Sequence, residues 1–366
     1  MKTTLLFTLI LVIFSCRKDT RLADIKPSLI ADTTEDWKTL DDETIFLTDR
    51  NILSSNATSN KLFLQSPNTF YTLDSNLKRI NSNGSEGPGY DDGFNRIGTG
   101  NNFSLYLKKI YPNYLYMRPN NKDVYANSGA GVSLKDSTNT NYSYSYFSNL
   151  DENDNFCLGY YIGNNNGIGD SNFFYIKKFH ASAVPYNYIK CEAVFNKFIK
   201  KGPSSTGNTE FNNGNLSIIN DVIYYGYYGL AFRFEYPDKI DTLKFNLRKM
   251  IKINNTIYAT CDWASYNTIQ SESGLFSSND NGMNWQRVTN NGMFTLAKDL
   301  VSIDNKLLIY RYDWINYFDF ASNSFKQINT KQIHAQIKTV TQFKDKVIVG
   351  TDAGVYYKSV KHFFAD

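Results

Sequence analysis

Two kinds of side chain in this sequence are equipped for chemistry: carboxylates that could work in pairs, and aromatic rings that could grip a ligand. Hydrolysis of a glycosidic bond needs two carboxyl groups held at a fixed separation across it. The 35 Asp and Glu residues are spread along the chain, and no spacing pairs any two of them. The aromatics are better placed. Tyr227 and Tyr228, then Trp263 and Tyr266, then Arg311, Tyr312, Asp313 and Trp314 each follow an apolar, strand-like run. Rings exposed on a concave rim stack on sugars or grip a peptide. The same rings also suit packing between sheets in a chain with 27 Tyr and 26 Phe.

Other partial motifs fail on their chemistry. Gly202-Pro-Ser-Ser-Thr-Gly207 is spaced like a phosphate loop, but Asn208 stands where the phosphate-binding Lys is needed. Asp151 to Asn155 begins like a calcium loop, yet Phe156 occupies the glycine position and Ile162 the bidentate Glu position. Asn164 to Asp170 lacks the strand and helix of a dinucleotide fingerprint. The three histidines, His180, His334 and His362, are isolated, so no metal site and no cofactor is expected. A net charge of +4 with dispersed basic residues gives no footprint for nucleic acid.

Whatever these residues do, hairpins must position them. Ile253-Asn254-Asn255-Thr256, Ile303-Asp304-Asn305-Lys306, Phe343-Lys344-Asp345-Lys346 and Ile219-Asn220-Asp221-Val222 each set a two-residue polar turn between apolar strands. Such turns suit the type I′ geometry that joins twisted antiparallel strands. Weaker copies lie around Pro112-Asn113, from Glu152 to Asn155, and from Ser54 to Asn60, making seven in all. Gly274, Trp314 and Gly354 open the second half of successive units at 40-residue intervals, and Trp285 is matched by Phe325. Two hairpins per unit make a four-stranded antiparallel blade. With aromatics at 16% and abundant turn residues, the chain is predicted to be all-β: a single β-propeller of seven blades, within a range of six to eight. The stretch 157–218 is long for one blade. The last unit is incomplete, and Thr44-Ile45-Phe46-Leu47 is expected to close the ring as its missing strand.

The N-terminus reads as an export signal. Met1-Lys2 is basic, and Leu5 to Phe14 is apolar but shorter than the ~20 residues that span a bilayer. Ile13-Phe14-Ser15-Cys16 resembles a bacterial lipobox, which implies lipidation of Cys16. Residues 1–15 are then a signal peptide, 16–42 a polar tether and 43–366 the propeller. Asn is absent from the first 50 residues and frequent afterwards, in keeping with that division. Of the remaining cysteines, Cys157 and Cys191 either pair, if their strands are neighbours, or stay as buried thiols.

One stretch carries a family resemblance. Ser278, Asp280, Gly282 and Trp285 follow the spacing S-x-D-x-G-x-x-W within a strand, turn and strand. Ser and Asp accept hydrogen bonds from turn amides, Gly tolerates positive φ, and Trp buries its ring against the sheet. The spacing resembles the Asp-box of sialidase-like (BNR) and sortilin-like β-propellers. The resemblance implies a structural turn on the face opposite the usual ligand site. It directs attention to the loops bearing Tyr227, Tyr228, Trp263, Tyr266, Arg311, Tyr312 and Trp314. A sialidase would also need an early R-I-P motif, and Phe232-Arg233-Phe234-Glu235 is no substitute. The expectation is a lipid-anchored binding or assembly module at the bacterial envelope, on the outer membrane, with a glycan, peptide or protein as ligand. A sialidase-like glycoside hydrolase is the alternative.

Overall fold

The computed structural model describes residues 28–29, 36–40, 50–84 except 68, and 274–365. Between these it describes 97–99, 103–108, 114–119, 132–133, 142–147, 153–162, 173–184, 188–200, 215–227, 230–235, 239–243 and 247–261. The signal and lipidation positions, including Cys16, lie outside the described residues, as do Thr44–Leu47.

The described strands form seven sheets, each built on four consecutive antiparallel strands or on three completed by a distant one. The fifth sheet shows the pattern: Leu247–Ile253, Thr256–Cys261, Gly274–Ser278 and Gln286–Thr289, in sequence order across the sheet. The sixth is Asp299–Ile303, Lys306–Tyr310, Ile315–Asp319 and Ser324–Gln327, with Ser28–Leu29 added in parallel at its outer edge. Two of the four named turns have the expected geometry, while Asn254-Asn255 and Lys344-Asp345 take positive φ, 53° and 54°, at the first residue only. Asn220 and Asp221 take φ of 50° and 69°, and Asp304 and Asn305 take 50° and 57°, the paired positive values of a type I′ turn.

First strands of adjacent sheets pack side by side. Asp299–Ile303 touches both Leu247–Ile253 and Ile337–Phe343, and Ile337–Phe343 in turn touches Ser54–Ala57 of the first sheet. The last sheet is thereby brought against the first, and the fold is a β-propeller. Its core is a set of layers between sheets. One joins Ile303, Leu308 and Tyr317 to Val340, Val347 and Val349; another joins Phe343, Ile348 and Val355 to Ile52, Leu62 and Leu64. Strands buried on both faces explain why the sequence shows apolar runs such as Val347-Ile348-Val349 where a solvated sheet would alternate. The sheets approach so closely that a Cβ on Gly226 would lie 1.9 Å from the carbonyl oxygen of Leu247.

Two open readings are narrowed and one expectation changes. The long stretch 157–218 holds no extra blade among the described residues; its length goes into strands of 12 and 13 residues, Phe173–Val184 and Tyr188–Lys200. Cys157 is a buried thiol, and the strand Phe173–Val184 lies between its strand and that of Cys191. An N-terminal strand does complete the last sheet, but it is Lys38–Thr39, paired antiparallel with Gly354–Ser359. Trp37 and Leu40 flank it and are buried in the core. The folded part therefore includes residues placed in the tether, because a strand too short to read as one is fixed by a large ring beside it.

Candidate functional site

The Ser278–Trp285 turn folds as its residue types require. The Ser278 hydroxyl donates to Asp280 Oδ1 at 2.8 Å and accepts the Gly282 N–H at 2.8 Å. Asp280 also accepts the Asn284 N–H at 2.9 Å and the Asn284 side-chain amide at 2.7 Å. These donors, the Asn284 backbone N–H first, pull the Asp280 carboxyl down to about 2. Gly282 sits at φ +73°, and Trp285 Nε1 donates to its carbonyl at 2.9 Å.

The turn also locks one sheet to the next. The Asn281 carbonyl accepts from Tyr224 Oη and from Arg233 Nε, both at 2.7 Å. Arg233 is fully buried and reaches Glu235 and Asp241 at 2.9 Å each. Burial works against its charge, but these carboxylates more than offset it and raise its pKa. The Ser278 hydroxyl, the Asp280 carboxylate and the Asn281 carbonyl are thus all engaged by partners inside the protein. Through these bonds the turn joins two sheets.

The equivalent turn of the sixth sheet, Phe318 to Phe325, lacks the Ser, Gly and Trp of that spacing but keeps part of its bonding. Asp319 accepts the Ala321 N–H at 3.0 Å and the Ser322 hydroxyl at 2.8 Å, so it does for its turn what Asp280 does for the other.

In an up-and-down blade, the loop between the second and third strands lies at the end opposite the turn between the third and fourth. That opposite face carries a cleft of about 560 Å³ between the sixth and seventh sheets. Three segments line it. Tyr312 and Asp313 come from the loop between the second and third strands of the sixth sheet, and Asp352 and Ala353 from the matching turn of the seventh. Thr330, Ile333, His334, Ala335, Gln336 and Ile337 come from the crossover joining the two sheets.

Backbone pairing holds these segments together. The Ile337 N–H donates to the Tyr312 carbonyl at 2.8 Å. Asp352 Oδ1 accepts the Gln336 N–H at 2.9 Å, and the Asp352 N–H donates to the Gln336 carbonyl at 3.2 Å. The Thr351 hydroxyl donates to the Gly354 carbonyl at 2.9 Å and accepts the Ala353 N–H, which fixes the tight turn presenting Asp352. Tyr312 is 46% exposed, and the Arg311 guanidinium stacks 4.4 Å from its ring centroid.

The rim residues named from sequence divide accordingly. Tyr312 lines the cleft, and Arg311 braces it. Trp314 is half-buried and packs on the core layer of Leu275, Phe294, Leu307 and Phe318. Tyr227 ends the strand Val222–Tyr227, while Tyr228, Trp263 and Tyr266 lie outside the described residues. Sequence reading missed Thr330, His334, Gln336 and Asp352. The spacing of Gly354 from Gly274 and Trp314 was the available signal, since it marks the turn just before it as equivalent to the other loops.

A phenol, two carboxylates, an imidazole, an amide and a hydroxyl around one opening, with Ile333, Ala335, Ile337 and Ala353 also in its lining, suit a polar ligand with an apolar face. Among the described residues, no three His, Cys, Asp or Glu side chains converge to hold a metal ion.

Fold and cleft together define a propeller with a loop-face opening, and comparison with solved structures agrees on the fold. The extracellular domain of a hybrid two-component system from B. thetaiotaomicron superposes with a TM-score of 0.51 at 10% identity, over 88% of this chain and 40% of that one. Virginiamycin B lyase from Staphylococcus aureus superposes with a TM-score of 0.50 at 8% identity, over 88% of this chain and 98% of that one. This chain thus spans 40% of the length of the first of these proteins. At such identities the likeness is one of architecture. No protein-family model matches the sequence, and no curated protein matches it.

Proposed function

We propose that this chain is an exported, lipid-anchored β-propeller that works as a binding module at the bacterial cell envelope. Its ligand is a glycan, taken on the loop face opposite Asp280. The observation that carries this reading is the cleft at Tyr312, Asp313, His334 and Asp352, an opening of ligand size on the face away from the satisfied Ser278–Trp285 turn. The resemblance of that turn to the Asp-box supports the same choice of face. Sugars offer hydroxyls to carboxylates and amides and an apolar ring face to an aromatic side chain, which is the mixture this opening presents.

The apolar run ending at Cys16 supports export and membrane attachment through a lipid. The envelope is accordingly the proposed location, on the outer membrane, and a propeller held by a tether suits capture better than turnover.

Screening the purified mature protein on a glycan array and against fluorogenic glycosides tests the proposal. Saturable binding without turnover is the expected result. Turnover abolished by replacing a single carboxylate would instead establish the sialidase-like hydrolase, and an array without binding would remove glycans as ligand.

A further inference from the structure

We infer that Asp36 and Trp37 form a latch on the cleft wall, so that docking of the N-terminal strand and the shape of the cleft are one equilibrium. The inference takes the cleft as the ligand site from the proposal above, but its physical basis is separate. The wall in question is the crossover 329–336, which supplies Thr330, Ile333 and His334 to the opening.

Its far end is tied to the sheets by Gln336 and Ile337, through Asp352 and Tyr312. Its near end is tied to the N-terminal segment. Trp37 Nε1 donates to the Asn329 carbonyl at 2.9 Å, and the Trp37 N–H donates to Gln332 Oε1 at 2.8 Å. Gln332 Nε2 in turn donates to Asp36 Oδ1. Between these ends the crossover is braced by short local contacts, such as Ile333 N–H to the Thr330 carbonyl at 2.9 Å.

The latch is itself seated in the core. Trp37 is 8% exposed, lies edge-on to Phe363 at 6.0 Å, and shares its layer with Ile328 and Ile337, the residues bracketing the crossover. Undocking Trp37 would therefore release the near end of the wall and loosen the layer beneath it in one event. Asp36 and Trp37 are positioning residues: they reach the cleft through Asn329 and Gln332 and do not line it. A segment docked by a two-residue strand is a local unit able to open below the free energy of global unfolding.

Hydrogen exchange on the whole protein, without any ligand, tests this. Gln332→Ala removes the side-chain bridge from a surface position, and Trp37→Phe keeps an aromatic ring in the layer but removes the Nε1 donor with part of the buried indole. Each is expected to speed exchange about tenfold at amides 37–40 and 329–337 together, leaving Thr256–Cys261 of the fifth sheet, which lies outside the Trp37 layer, at the parent rate. Faster exchange in one segment alone, or in neither, would overturn the coupling. A rise that also reached Thr256–Cys261 would signify general unfolding and would overturn it too. Because the readout needs no ligand, its failure is distinguishable from failure of the glycan proposal.

Discussion

Arg233 Nε donates to the Asn281 carbonyl at 2.7 Å, across the boundary between two adjacent sheets. The guanidinium is 1% exposed, and its remaining donors go to Glu235 and Asp241. Arg233→Met should therefore destabilise the protein by about 3 kcal/mol, because it strands the Asn281 carbonyl and two carboxylates at a sheet junction. Glu235→Gln, at a half-exposed partner, should cost less than about 1 kcal/mol. Urea denaturation of the two variants gives the comparison, and equal losses would mean that the junction is not held through Arg233.

The turn beside it is predicted to be acid-sensitive. Asp280 has a folded pKa of about 2 against an ordinary 3.8, so its contribution to stability is fully present above 3.8 and is lost as pH falls toward 2. After allowance for solvent screening, the contribution is on the order of 1 kcal/mol. Melting temperatures followed down through this window should fall more steeply for the parent than for Asp280→Asn. Parallel curves would remove the carboxylate from the account.

Lys358 carries the opposite sign of effect. It is 1% exposed, with its ammonium 5.8 Å from the Trp37 ring, and burial lowers its pKa. The unfolded chain therefore holds this proton more tightly, and stability should rise with pH from the folded value up to 10.5, the ordinary one. Lys358→Met should stabilise the protein at neutral pH by roughly 1 kcal/mol and flatten that rise. Chemical denaturation at neutral and alkaline pH checks both.

Closure of the last sheet depends on residues 36–40. A chain beginning at residue 41 loses Trp37 and the strand that covers Gly354–Ser359. Losing a buried Trp and its hydrogen bonds costs about 3–5 kcal/mol, which in a chain of this size should lower the melting temperature by roughly 5 °C. A truncated chain that melts with the parent would show that Lys38–Thr39 is ornamental to the fold.

What the sequence disclosed follows from where the structure uses local chemistry. The hairpins were legible because Asn220-Asp221 and Asp304-Asn305 announce positive φ in two residues. Ser278 to Trp285 was legible because one continuous stretch satisfies itself. The cleft was legible only at Tyr312 and Asp313, which sit in a loop after an apolar strand. His334 and Gln336 lie in an ordinary-looking crossover and acquire meaning through contacts with Asp352 and Tyr312. Trp314, so similar to Tyr312 on paper, turns to the core instead. Closure through Lys38–Thr39 was invisible because a two-residue strand has no period, and its partner lies more than 300 residues away.

The most direct measurement of the central claim is glycan binding by variants of the two faces. Tyr312→Ala and Asp313→Ala alter the cleft, while Met283→Ala alters an exposed residue on the Ser278–Trp285 turn. On a glycan that the parent binds, titration calorimetry should show each cleft variant at least about tenfold weaker and Met283→Ala unchanged. Full-strength binding by both cleft variants, or a loss that follows Met283→Ala, would contradict the account.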